Sequence, residues 1–286
     1  MAHAPTIART GTPTGARADA PTGARAPLDV VARLRSPVDT RPPVDRGLAG
    51  GLRAWLEDGV ATVGPLRAGT LVVHRGHLGS FSTRPRTDEA TVPPSAVVDV
   101  IVRAAFRQLV SLGAWTDPFD DALCALRVQH RGDEILEAVA RMGRRERAAL
   151  RQEVRSQARG MARDWRPLPH AWLPRTADRI TVPLGAAQVV LAALADLALG
   201  TPSAGSASVC LVGVRAAGPG PTDARARRFL ALLETLRSGA PPFRVATYYP
   251  AVGRLDVDDI TDDLLADAVV EAIDAIQGAA RGGGAR

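Results

Sequence analysis

The stretch from Ile180 to Tyr249 constrains this chain most, because its hydrophobic period alternates between strand and helix. It contains ITVPLGAAQVVLAALADLALG, then SASVCLVGVRAAG, RARRFLALLETLRSG and PFRVATYY. Short apolar runs rich in Val and bounded by Gly, Pro and Ser predict strands. Two fall in the first segment, a third covers Val209 to Arg215, and a fourth ends at Tyr248 and Tyr249. Between the third and fourth, Phe229, Leu232, Leu233 and Leu236 recur at helical spacing, and Gly239 with Pro241 stops that helix. The predicted class is α/β (α+β), with a mixed central sheet flanked by helices and an N-terminal helical/β extension.

A chain of 286 residues with 46% hydrophobic content can bury one full core, with room for a small added subdomain. Aromatics are only 4%, so that core is built of Ala, Val and Leu. All 36 basic residues are arginine. Arginine keeps its proton, so no mechanism using a lysine amine as general acid or Schiff base is available. The net charge of +6 permits an anionic partner without requiring one. Cys124 and Cys210 lie far apart in apolar runs, which predicts buried reduced thiols. The absence of an 18-residue apolar run and of a signal-peptide core predicts a cytoplasmic protein with no membrane partner.

Residues 1–45, rich in Ala, Pro, Gly and Arg, carry the near-repeat PTGARADA and PTGARAP and are predicted to be a disordered leader with a short helix near Leu28 to Leu34. Residues 46–94 predict a small β/helical element, with a helix at Leu52 to Leu56 and strands between Gly69 and Phe81. His74 and His77 would point to opposite faces of a strand, and no acid or Cys nearby completes a ligand set. The main domain is assigned to 95–277, with helices over 95–165 and His130 as a packing or capping residue at a break. The stripe Val97, Ile101, Val102, Ala105, Leu109 predicts a helix ended by Gly113, and Thr116 or Asp117 before Pro118 starts the next. The acids Asp256, Asp258, Asp259, Asp262 and Asp263 lack an EF-hand's Gly and terminal Glu and are expected at a helix N-terminus. Residues 278–286 predict a disordered tail.

The most distinctive charge pattern is Arg147, Arg151, Arg155, Arg159 and Arg163, spaced by four on one predicted helix. Such a row drifts only about 40° per step and forms a slowly winding basic ridge. Between Arg141 and Arg179, eleven arginines face four acids. The ridge is either a solvated face or a track for phosphates.

Asp196 on a strand, Leu211 to Arg215 on the next, the Phe229 to Leu236 helix and Val245 to Tyr249 together resemble the PD-(D/E)XK nuclease superfamily, in its RecB-like exonuclease branch. The resemblance covers roughly residues 175–255. It implies a restriction-endonuclease-like core in which Asp196 is the metal ligand, for Mg2+ or Mn2+ if the protein is active. The acid-x-Lys pair of that family is replaced by Gly213 and Arg215. A hard divalent ion needs at least two oxygen ligands to polarise a phosphate. Rebuilding the site therefore needs a migrated acid, for which Glu153 and Glu234 are the candidates, or a backbone carbonyl between Val212 and Val214. The expectation is a catalytically degenerate nuclease fold acting as a nucleic-acid-associated or protein-interaction module. Arg215, Arg244 and the Arg147 to Arg163 ridge would supply its anion contacts, with DNA or an unidentified protein as partner. An active metal-dependent nuclease and a structural interaction protein are the alternatives. AAGPGPT, at Ala216 to Thr222, lacks the glycine spacing and Lys of a phosphate-cradling loop, and no G-x-S-x-G marks a serine hydrolase.

Overall fold

Strand β3 (Val189–Leu199) is the spine of a six-stranded mixed sheet. In this computed structural model the described residues are 28–35, 41–62, 71–74, 92–129, 133–185 and 188–283. Apart from Asp196, β3 carries only Val, Leu and Ala, as suits a strand covered on both faces. It pairs antiparallel with β2 (Arg175–Leu184) along nearly its whole length. Its first residues also pair parallel with β1 (Leu71–His74), and its last pair antiparallel with β4 (Cys210–Val214). Beyond β4 come β5 (Arg244–Tyr249), parallel, and β6 (Arg254–Asp259), antiparallel.

Helices cover both faces. On one face lie α1 (Val30–Leu34), α3 (Pro94–Leu112), α4 (Pro118–Val128), α5 (Asp133–Arg141) and α6 (Arg144–Asp164), packed on Leu197, Val212, Val214 and Tyr248. On the other lie α2 (Leu48–Ala61), α7 (Asp223–Ser238) and α8 (Asp262–Gly283), packed on Leu191, Ala195, Leu211 and Val245. The aromatic centre of the first face is Trp165, edge-on to Phe106 at 4.8 Å and to Tyr248 at 5.5 Å. Such geometry directs ring edges at ring faces. Tyr248 and Tyr249, consecutive on β5, go to opposite faces and are both fully buried.

Local signals set the helix ends. Gly113 closes α3 at φ +83°, where a side chain would be strained. The Asp117 carboxylate accepts from the N–H groups of Phe119 and Asp120 and caps α4, with Pro118 in its first position.

Three expectations are corrected. Asp256, Asp258 and Asp259 lie on strand β6, and only Asp262 and Asp263 occupy the first turn of α8. In β6, buried Leu255 and half-buried Val257 alternate with charged residues, which leaves a charged edge strand. Helix α8 continues to Gly283, so 278–283 are helical rather than a disordered tail. Cys124 is exposed; only Cys210 is buried. The N-terminal element joins the main sheet, with β1 on β3 and α2 against α7 and α8. His77, His130, most of the leader and residues 284–286 lie outside the described residues.

Candidate functional site

Asp196 sits where the sheet departs from regular pairing. Thr176 pairs with Leu197 and Asp178 with Ala195, but Ala177 and Asp196 between them make no ladder pair. Ala177 takes φ +56°, a left-handed conformation unusual for a residue with a Cβ. The irregularity breaks the alternation of β3. Ala195 belongs to the α7 face, whereas Leu197 belongs to the α3 face, as does the Asp196 side chain that meets α3.

The Asp196 carboxylate is fully buried and its oxygens are taken. Arg103 Nε donates to both oxygens at 2.9 Å, Arg107 Nε to Oδ1 at 3.2 Å, and the Val214 N–H to Oδ2 at 2.8 Å. Asp99, one turn before Arg103, lies 3.9 Å from its guanidinium and accepts the Ala216 N–H at 3.0 Å. Burial pulls the Arg103 pKa down, but Asp196 and Asp99 outweigh it and hold the group above its ordinary value. Two arginines in this position repel a divalent cation and occupy the lone pairs it would need.

Gly213 and Arg215 are on the other face. Gly213, Arg215, Asp223 and Arg227 line a small cavity of about 40 Å³ beside α7, while Val212 and Val214 pack toward α3. Strand alternation therefore separates the residues that resemble the nuclease motif. Room is not what excludes a side chain at 213: a Cβ there would meet only Ala246 O, at 4.0 Å. Arg215 Nη1 donates to Asp223 Oδ1 at 2.9 Å, and the other Asp223 oxygen accepts from Tyr249 OH at 3.0 Å. Burial, with Asp223 adding to it, pushes the Tyr249 hydroxyl up to about 12.

The proposed replacement acids do not join Asp196. Glu234 is fully buried on α7, on the opposite face of the sheet, and its Oε2 accepts from Arg237 at 2.5 Å. Arg237 also clamps Asp178 on β2 with two bonds of 2.9 Å. Burial raises the Glu234 pKa more than Arg237 lowers it, and Oε1 makes no hydrogen bond among the described residues. Glu153 is exposed on α6 and accepts from Gln157 at 2.8 Å. Among the described residues no three His, Cys, Asp or Glu side chains are grouped to share a metal ion.

The arginine ridge runs along α6 as the spacing predicts, but its members differ. Arg151 pairs with Asp120, Arg155 with Asp117, and Arg163 with Asp164 at 3.0 Å. Arg147 and Arg159 are exposed, with no acidic partner among the described residues. Arg144, Arg147, Arg151 and Arg155 line an open groove of about 540 Å³ with Phe119 and Asp120 of α4, and Arg151 stands 5.3 Å above the Phe119 ring. Arg244 is outside this set. It donates to Asp259 and to the carbonyls of Arg33 and Arg35, which ties the end of α1 to the sheet.

Sequence reasoning missed Arg103, Arg107, Asp178, Asp223 and Arg237. For Arg103 and Arg107 a signal was present: with Asp99 they recur at four-residue spacing on a helix whose neighbouring positions are buried. Asp117 was read as a cap alone, but it also holds the ridge.

No family model matches the chain, and no curated protein does. One solved structure, titled "Crystal structure of SSO0001", is similar over 78% of this chain and 84% of that one. The identity is 10% and the TM-score 0.30, a likeness too slight to carry an argument.

Proposed function

We propose that this protein is a catalytically degenerate, restriction-endonuclease-like module that holds nucleic-acid phosphates along the α4–α6 groove. The observation that carries the proposal is the Arg144, Arg147, Arg151 and Arg155 lining of one open groove. Guanidiniums suit phosphate oxygens because their planar fork gives paired, charge-assisted hydrogen bonds. Loss of catalysis is supported by the saturated Asp196 and by its separation from Gly213 and Arg215 across the sheet.

The pairing of Arg151 and Arg155 with Asp120 and Asp117 supports a second reading, in which the groove docks a protein carrying both acidic and apolar groups. Fluorescent single- and double-stranded DNA, titrated across salt with Mg2+ or Mn2+, separates the two. Under the nucleic-acid reading affinity falls steeply with salt and no strand is cut. An Arg144→Ala/Arg147→Ala variant flattens the log–log salt slope by about 0.9 per phosphate contact removed. Binding without a salt slope, or none at all, would transfer the groove to a protein partner. Cutting that Asp196→Ala abolishes would overturn the degenerate assignment.

A further inference from the structure

A second cavity, of about 440 Å³, opens at the end of the sheet where β3 finishes and β4 and β5 begin. Cys210 is among its lining residues, and burial pushes the thiol to about 12, so it stays protonated. Trp172 forms one wall and Phe243 another. Arg41 lies over Phe243, its Cζ 4.6 Å from the ring centroid. The Arg41 Nε is buried with no hydrogen-bond partner among the described residues. Arg35 stands exposed at the rim, without an acidic partner among them. Ser203 accepts from the Gly205 N–H, and its own hydroxyl proton has no acceptor among the described residues. No carboxylate lines the cavity among the described residues.

The walls are fixed before any ligand arrives. Gly200 takes φ +82° and donates to Trp172 O at 2.6 Å, and Leu173 takes φ +48° beside it. The segment bearing Arg41 is pinned by the Pro43–Ser206 bridge and by the Ala207 N–H donating to Pro42 O at 2.9 Å. A non-glycine residue held in the left-handed region at a cavity mouth is strain that the surrounding structure must over-determine. Two guanidiniums, a hydroxyl and two aromatic walls, in a space within the usual range for small-molecule sites, select an anion with a flat or apolar body.

We propose that this cavity binds a small organic phosphate of mononucleotide size, its phosphate held by Arg35, Arg41 and Ser203 and its body lying against Trp172. The site is separate from the α6 groove and does not rest on the nucleic-acid assignment.

Isothermal titration of the full chain with AMP, adenosine and inorganic phosphate tests it. AMP is expected to bind more tightly than either fragment. Arg41→Ala and Arg35→Ala are each expected to weaken AMP about tenfold to a hundredfold, the usual loss for a hydrogen bond to a charged group. Arg35 is exposed, so its variant folds even if Arg41→Ala does not. Arg144→Ala/Arg147→Ala should leave AMP affinity unchanged while altering DNA binding. No heat with AMP at millimolar concentration, or wild-type AMP affinity in both Arg variants, overturns the proposal. Adenosine binding as tightly as AMP overturns the phosphate assignment, and inorganic phosphate doing so overturns the role of the Trp172 wall.

Discussion

Asp196 and Glu234 are both fully buried carboxylates, and their partners give them opposite characters. Asp196 has two guanidiniums and a backbone N–H, so its charge is compensated in place. Removing it would strand Arg103, of whose side chain only 10% is exposed. Asp196→Ala should therefore cost about 3–5 kcal/mol, the range for breaking a buried pair, as read from urea unfolding. A cost below about 1 kcal/mol would show that Asp99 alone compensates Arg103. Glu234 has one guanidinium and an oxygen with no hydrogen-bond partner among the described residues, and burial raises its pKa above the ordinary 4.5. A raised acid binds its proton more tightly when folded, so its stabilising contribution is complete below the unfolded value and is lost as pH rises through the folded one. Wild type should thus lose stability relative to Glu234→Gln as pH rises above 4.5. Asp178, held below its ordinary 3.8 first by its hydrogen bond from Arg237, acts in the opposite sense and below that window. Parallel curves for the two proteins across the range would refute the assignment.

Asp117 shows how one side chain serves two elements. It caps α4 and pairs with Arg155 of α6. Burial alone would raise its pKa, but the N–H groups of the cap and Arg155 together hold it below 3.8. Its contribution is therefore present above that value and lost as pH falls through the folded pKa. Asp117→Ala should cost about 1 kcal/mol through the lost cap. If the groove binds polyanions, the same change should strengthen DNA binding by freeing Arg155. Weaker stability with unchanged DNA affinity would remove Arg155 from the interface. At this scale the sequence was largely legible. The strands from Ile180 onward, the α7 helix and the α3 terminator follow from hydrophobic period and from glycine. Strand β6 was not anticipated, because its five charged or half-exposed positions hid a two-residue alternation.

The molecule is one sheet between two helical layers, and its long-range ties cross large sequence distances. Arg244 on β5 holds the α1 carbonyls of Arg33 and Arg35 at 3.1 Å and 2.7 Å. These carbonyls are orphans of a short helix end, and a cation there also opposes the helix dipole. Arg244→Ala should speed hydrogen exchange across Val30 to Leu34 while leaving β4 and β5 protected. Uniform loss of protection across the sheet would mean that Arg244 supports the whole core. No helix among the described residues is long and apolar enough to cross a membrane.

What the sequence determined by itself was local: where the chain extends, where it coils, where it turns, and that α6 carries a basic row. Each depends on neighbours within a few residues and on their period. Which side chains meet was decided by the tertiary structure. The resemblance set Asp196 beside Gly213 and Arg215 as a motif, but the irregular pairing at Ala177 turns Asp196 toward α3, while the other two face α7. A single change in strand alternation moves a carboxylate to the other side of a sheet. That change depends on how β2 and β3 pair across the hairpin, a relation the linear spacing of residues does not contain.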